Sequence, residues 1–164
     1  MVGEKIERVC FTGHRMIGGI EREKLTRLLD TMLRNLIVNY GARTFIAGGA
    51  IGFDTIAAQC VIRLRREYPK IRLELILPCP DQSKRWREGD KALYREIIER
   101  ADAHSYVSPY YYNGCMQERN RRMVDSSELC MAYCRKGAVG GTSYTVAYAQ
   151  IKDIMVVNLA DLIG

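Results

Sequence analysis

The feature that most constrains this chain is a regular alternation of strand-like and helix-like segments. Short apolar runs at Arg8–Thr12, Arg43–Ala47, Ile71–Leu77, Ala103–Val107, Leu129–Cys134 and Ile154–Leu159 predict strands. Between the first two, Ile20–Tyr40 carries Leu25, Leu28, Leu29, Met32, Leu33, Leu36 and Ile37 at the i, i+3, i+4 spacing of an amphipathic helix, and Gly41 stops it. A second helix is predicted over Asp54–Glu67, with Ala57, Cys60, Val61 and Leu64 on one face and Pro69 beyond its end. Others are predicted over Gln82–Arg100, Met116–Ser126 and Ser143–Ile151. Strands joined through helices run parallel, with right-handed crossovers. The pattern therefore predicts an α/β fold: three layers, a doubly wound and mainly parallel sheet, and helices on both faces.

This is a Rossmann-like arrangement, and 164 residues without a repeat, low-complexity tract or linker predict one domain over 1–164. At 48% hydrophobic and 27% charged residues the composition is globular and excludes disorder. No apolar run approaches the ~20 residues that cross a bilayer, so no membrane partner is expected. The start, MVGEKIERVCF, passes from charged residues directly into a strand, unlike a signal peptide. Cys10, Cys60, Cys79, Cys115, Cys130 and Cys134 form no CxxC pair, and several lie in apolar runs, where a free cysteine behaves as a small hydrophobe. That usage predicts a reducing, cytoplasmic setting and no zinc site or other metal. The net charge of +6 favours anionic partners without choosing among them. A soluble basic surface and a nucleic-acid footprint both fit it.

In open parallel sheets ligands bind beyond the carboxyl ends of the strands, and the glycine-bearing turns sit there. Thr12-Gly13-His14-Arg15 follows the first strand, and Gly48-Gly49-Ala50-Ile51-Gly52-Phe53-Asp54 follows the second. Gly137 to Gly141, with Thr142 and Ser143, follows the fifth, so Gly140 and Gly141 open the last helix. Glycine lets backbone N–H groups approach an anion, and a helix N-terminus adds unpaired donors. Thr142 and Ser143 either add hydroxyl donors or cap that helix. Three such turns at one edge predict a phosphate-binding site. Neither the full GxGxxG nor the GxxxxGK[ST] pattern is present, so neither a standard dehydrogenase nor a P-loop NTPase is indicated.

Other candidates have two readings each. His14 either meets a phosphate or acts as acid or base, or it hydrogen-bonds within its turn. Asp54 is a helix N-cap or an acceptor for ribose hydroxyls. Arg119 is a bidentate phosphate clamp or a solvated helix arginine. Trp86 and the Tyr110-Tyr111-Tyr112 run, Tyr112 in particular, stack on a base or simply pack.

Together, TGHR, GGAIGFD, QSKRW, YYNGCMQERNRRMVD and GGTSYTVAYA resemble the YpsA-type family over about Ile6 to Asn158. That family belongs to the SLOG superfamily, which unites the DNA-processing protein DprA with the "lonely guy" cytokinin-activating enzymes. The resemblance implies a Rossmann-like domain that binds nucleotides or their derivatives at its glycine-rich loops, and a homo-oligomer. In the enzyme branch an arginine lies in an MHxRK-like helix and a glutamate follows the glycine-threonine pair of PGGxGTxxE. MQERN places Arg119 on that arginine and Gly141-Thr142 match the pair, but the glutamate position falls on Thr145. Breaking an N-glycosidic bond develops positive charge on the ribose, which a carboxylate stabilises and threonine cannot. Asp54 and Glu118 are carboxylates that no spacing requires in that role. The expectation is therefore a nucleotide-binding protein, in the manner of a sensor, with a small-molecule partner and no implied cofactor or assigned catalytic residue. Phosphoribohydrolase-like cleavage of a nucleoside 5′-monophosphate is the runner-up, and a single-stranded DNA-binding module ranks third.

Overall fold

The computed structural model describes residues 4–163. Strands β1 (Arg8–Gly13), β2 (Thr44–Ala47), β3 (Arg72–Leu77), β4 (Ala103–Tyr106), β5 (Leu129–Tyr133) and β6 (Met155–Asn158) alternate with helices α1 (Gly19–Tyr40), α2 (Phe53–Leu64), α3 (Glu88–Arg100), α4 (Cys115–Asp125) and α5 (Gly141–Ile151). The strands form one sheet in the order β4-β3-β2-β1-β5-β6. Every described pairing is parallel. The predicted class and each predicted element are present.

The two faces of the sheet bury different amounts of apolar surface. Val9, Phe11, Phe45, Ala47, Leu73, Leu75 and Met131 point into the larger core with α1, α2 and α3. The alternate positions Cys10, Ile46, Cys130 and Ala132 meet α4 and α5 through Met123, Val124 and Ala149 in a smaller one. Central strands buried on both faces read as unbroken apolar runs, as VCF, FIA and LCMAY do. On α1, Leu25, Leu29, Leu33 and Leu36 form the buried stripe, each contributing roughly 1.5–3 kcal/mol by leaving water. Gly41 ends that helix in the left-handed conformation, at φ 75°.

The third helix begins later than its sequence pattern suggests, at Glu88 rather than Gln82. From Cys79 to Trp86 the chain runs through turns instead, with N–H donors of Gln82, Lys84 and Trp86 bonding to carbonyls three residues back. Trp86 and Gln82 fold onto Tyr94 of α3: the two rings meet edge to face with centroids 5.2 Å apart, and Gln82 Nε2 donates to the Tyr94 hydroxyl at 3.2 Å. These tertiary contacts outweigh the local helix propensity of the segment.

Candidate functional site

From β1 the chain steps outward to β2, β3 and β4, then returns to the other side of β1 with β5 and β6. At this switch point the turns leaving β1 and β5 part and open a crevice. A cavity of about 280 Å³ occupies it. Its walls are the β1 turn (Thr12, Gly13, His14, Arg15), Ala50 and Asp54 from the β2–α2 connection, Met116, Arg119, Asn120 and Met123 of α4, and Gly141, Thr142 and Ser143 at the start of α5.

The fold thus gathers Gly13, His14, Arg15, Asp54, Arg119, Gly141, Thr142 and Ser143 around one space. Gly48, Gly49, Gly52 and Gly140 do not line it; they shape what does. A Cβ on Gly48 would lie 2.7 Å from Arg119 Nη1, which donates to the Gly48 carbonyl. Gly52 occupies φ 83°, and a Cβ there would sit 2.4 Å from the Arg15 carbonyl oxygen. Gly49 turns the chain at φ 73° beside Leu77 and Tyr94, and Gly140 is the N-cap of α5.

Arg119 and Asp54 are the charged groups buried against this space, 4% and 5% exposed. The guanidinium is held on two sides, Nε donating to Asn120 Oδ1 at 2.7 Å and Nη1 to Gly48, while among the described residues Nη2 meets only the Met116 thioether at 3.8 Å. Burial lowers the Arg119 pKa; the Asp54 charge opposes that shift and Arg15 adds to it. Asp54 is not the N-cap of α2, a position Gly52 holds. Its carboxylate lies in the first turn and accepts the Ala50 N–H at 3.2 Å. Burial raises its pKa, against the pull of Arg119 and that N–H.

His14 ties three turns together. Its Nε2 accepts the Arg135 backbone N–H at 2.8 Å, which requires the neutral ring. Its carbonyl accepts the Phe53 N–H at 3.0 Å. Burial, and then the Arg135 charge, lower its pKa below 6.5. The hydrogen bond of this side chain therefore runs between turns rather than within one.

The N-terminus of α5 has no side-chain cap. Ser143 Oγ donates to the Gly140 carbonyl at 3.0 Å, and Thr145 Oγ1 to the Gly141 carbonyl at 2.8 Å. Both hydroxyls thus serve carbonyls, so the first turn of α5, whose Gly141, Thr142 and Ser143 line the cavity, carries no side-chain cap on its N–H groups. Thr145 is only 1% exposed, and Glu118 is engaged outside the cavity by Tyr112 and Arg122. Asp54 is the carboxylate among the lining residues.

Trp86 lines a neighbouring groove rather than the cavity. Tyr112 lines neither, because its hydroxyl donates to Glu118 at 2.9 Å; Tyr111 is the loop tyrosine that faces the groove. Sequence reasoning passed over Asn120 and Met116. Arg119 and Asn120 share the buried stripe of α4 with Cys115, Met123 and Val124. Polar residues on an inward stripe were the available signal.

A parallel doubly wound sheet with a cavity at its switch point defines a Rossmann-like protein. The chain belongs to the YspA SLOG family, whose model, YpsA, matches residues 19–158. It is 31% identical over 139 residues to the uncharacterised SPbeta prophage-derived protein YoqJ of Bacillus subtilis, covering 77% of this chain and 81% of that one. It is 28% identical over 137 residues to a UPF0398 protein of Levilactobacillus brevis, covering 78% and 72% respectively. The fold is similar to DNA processing protein A of Helicobacter pylori, studied for its single-stranded DNA binding mode, at 19% identity and a TM-score of 0.62. It is also similar to DprA of Streptococcus pneumoniae, at 13% identity and 0.63. Each likeness covers 92% of this chain but only 63% and 49% of those chains, and at these identities it speaks for the fold alone.

Proposed function

We propose that the switch-point cavity binds a nucleotide or nucleotide-derived small molecule, with its phosphate between Arg119 and the N-terminal turn of α5, in the manner of a sensor. The carrying observation is the Arg119 guanidinium: buried, held in place through Nε and Nη1, and offering Nη2 with nothing but a thioether against it among the described residues. Burial makes the guanidinium charge costly even with the Asp54 charge opposing the fall in its pKa, and an anion entering the cavity offsets that cost through charge-assisted hydrogen bonds. The uncapped α5 N-terminus favours the same anion. About 280 Å³ is more room than a phosphate alone needs, and Asp54 gives ribose hydroxyls an acceptor.

Isothermal titration against mononucleotides, ADP-ribose, NAD and inorganic phosphate tests this. Binding below about millimolar is expected for at least one nucleotide. Arg119→Gln keeps a donor near Gly48 but removes charge and fork, so it should weaken that binding roughly tenfold or more. Absence of binding by every compound would overturn the reading.

The Asp54 carboxylate supports a second reading, hydrolysis of a nucleoside 5′-monophosphate. Water would add to the anomeric carbon as the C–N bond breaks, and the base would leave with a proton. Chromatography for free base after incubation decides it, and unchanged substrate counts against it. The likeness to DNA processing protein A raises nucleic acid as an alternative partner, which a salt-dependent gel shift with single-stranded DNA would reveal.

A further inference from the structure

Beside the cavity, across Met116, lies a groove of about 440 Å³ lined by Gln82, Lys84, Trp86 and Tyr111 among others. Met116 lines both spaces, and its sulfur is the group against Arg119 Nη2. We propose that this groove is a base-binding subsite, so that the ligand is a free nucleotide whose base lies between Trp86 and Tyr111 while its phosphate reaches Arg119. The inference rests on the phosphate reading above and extends it to the other end of the ligand.

Three observations carry it. First, Trp86 is fixed rather than loose: its ring meets the buried Tyr94 edge to face at 5.2 Å, leaving it half-buried at the groove wall. An aromatic ring held in place from behind stacks a base at little ordering cost. Second, Tyr111, 60% exposed, lines the same groove, so two aromatic side chains from different connections border one space. Third, Gln82 Oε1 is buried without a hydrogen-bond partner among the described residues, while its Nε2 is engaged by Tyr94. Orphaned buried acceptors are rare, and the residue that carries this one is part of the groove lining. Gln82 also lies against the turn after β2: a Cβ on Gly49 would lie 3.2 Å from its Nε2. Cavity and groove share one wall and have the size of ordinary small-molecule sites.

Trp86 is the only tryptophan in the chain, so its fluorescence reports on the groove in the unaltered protein. Wild-type protein is titrated with AMP, GMP, CMP, UMP, ribose 5-phosphate and a ten-residue oligodeoxyadenylate, following fluorescence and heat together. The expected result is that at least one nucleoside monophosphate binds and quenches Trp86, whereas ribose 5-phosphate binds more weakly without quenching. In Trp86→Ala the ratio of nucleotide to ribose 5-phosphate affinity should fall about tenfold or more, and Trp86→Phe, which keeps a stacking face, should recover most of it. Nucleotide binding that is sensitive to Arg119→Gln but leaves both Trp86 fluorescence and that ratio unchanged would overturn the subsite and leave the phosphate reading standing. Binding of the oligonucleotide with none of the mononucleotides would overturn the free-nucleotide assignment. No binding by any of them would overturn the subsite, and the phosphate reading falls with it once ADP-ribose, NAD and inorganic phosphate also fail to bind.

Discussion

At the scale of single residues the site is built on buried and half-buried polar groups, several with part of their bonding capacity spent on the protein. Arg119 spends two of its nitrogens on Asn120 and Gly48, and Asp54 spends one oxygen on Ala50. His14 spends its acceptor nitrogen on Arg135, and that bond exists only while the ring is neutral. Burial and Arg135 hold its folded pKa below 6.5, near which the unfolded chain titrates. In the window from 6.5 down to that lowered value the unfolded state carries more protons, so stability rises with pH and falls as pH drops. Thermal melts from pH 7.5 to 5 should therefore show a loss that His14→Gln removes, since glutamine keeps an acceptor for the Arg135 N–H without titrating. The same pH dependence in His14→Gln would refute this assignment.

At the scale of elements, turns and helix starts do most of the positioning. Gly52 joins the β2 turn to α2 at φ 83°, its missing Cβ leaving room for the Arg15 carbonyl. Gly52→Ala should cost about 3 kcal/mol or more, combining strained backbone with a backbone clash. Gly89 in the first turn of α3 has nothing within 4 Å of an added Cβ, so Gly89→Ala should stabilise by about 0.4–1 kcal/mol. Opposite signs in urea denaturation check both. The elements themselves were legible in the sequence because strand runs and the α1 leucine stripe are local periodicities. Strand order was not, since nothing local says that β5 returns to the far side of β1. The same limit applies to the site. Gly13, Arg119 and Gly141 each announced themselves in a turn or motif, but that they meet around one cavity while Gly48, Gly49 and Gly52 support it from outside is a product of topology. Trp86 was visible as a ring; that it borders its own groove with Tyr111 depends on α3 starting six residues later than Gln82, at Glu88.

At the scale of the whole molecule, the cavity draws on both halves of the doubly wound sheet. Asp54 and Ala50 belong to the half that runs from β1 outward through β2, and the start of α5 belongs to the half built on β5 and β6. His14 already bonds across this divide to Arg135, and Arg135 in turn pairs with Glu21 at the start of α1 at 2.8 Å. A ligand held by Arg119 and the α5 N-terminus adds a further cross-link that the unfolded chain cannot make. Binding only the native state stabilises it by about 2.7 kcal/mol at a hundred times the Kd. For a chain of this length each kcal/mol raises Tm by roughly 2–4 °C, so a bound nucleotide at that concentration should raise Tm by about 5–10 °C. Arg119→Gln should show far less of the rise at the same concentration, while its own unliganded melt reports what the substitution does to the fold. Because the ligand would join the two halves, melts followed by far-ultraviolet dichroism and by Trp86 fluorescence should shift together. A shift confined to the Trp86 signal would place the ligand on the α3 side alone and contradict a site at the switch point.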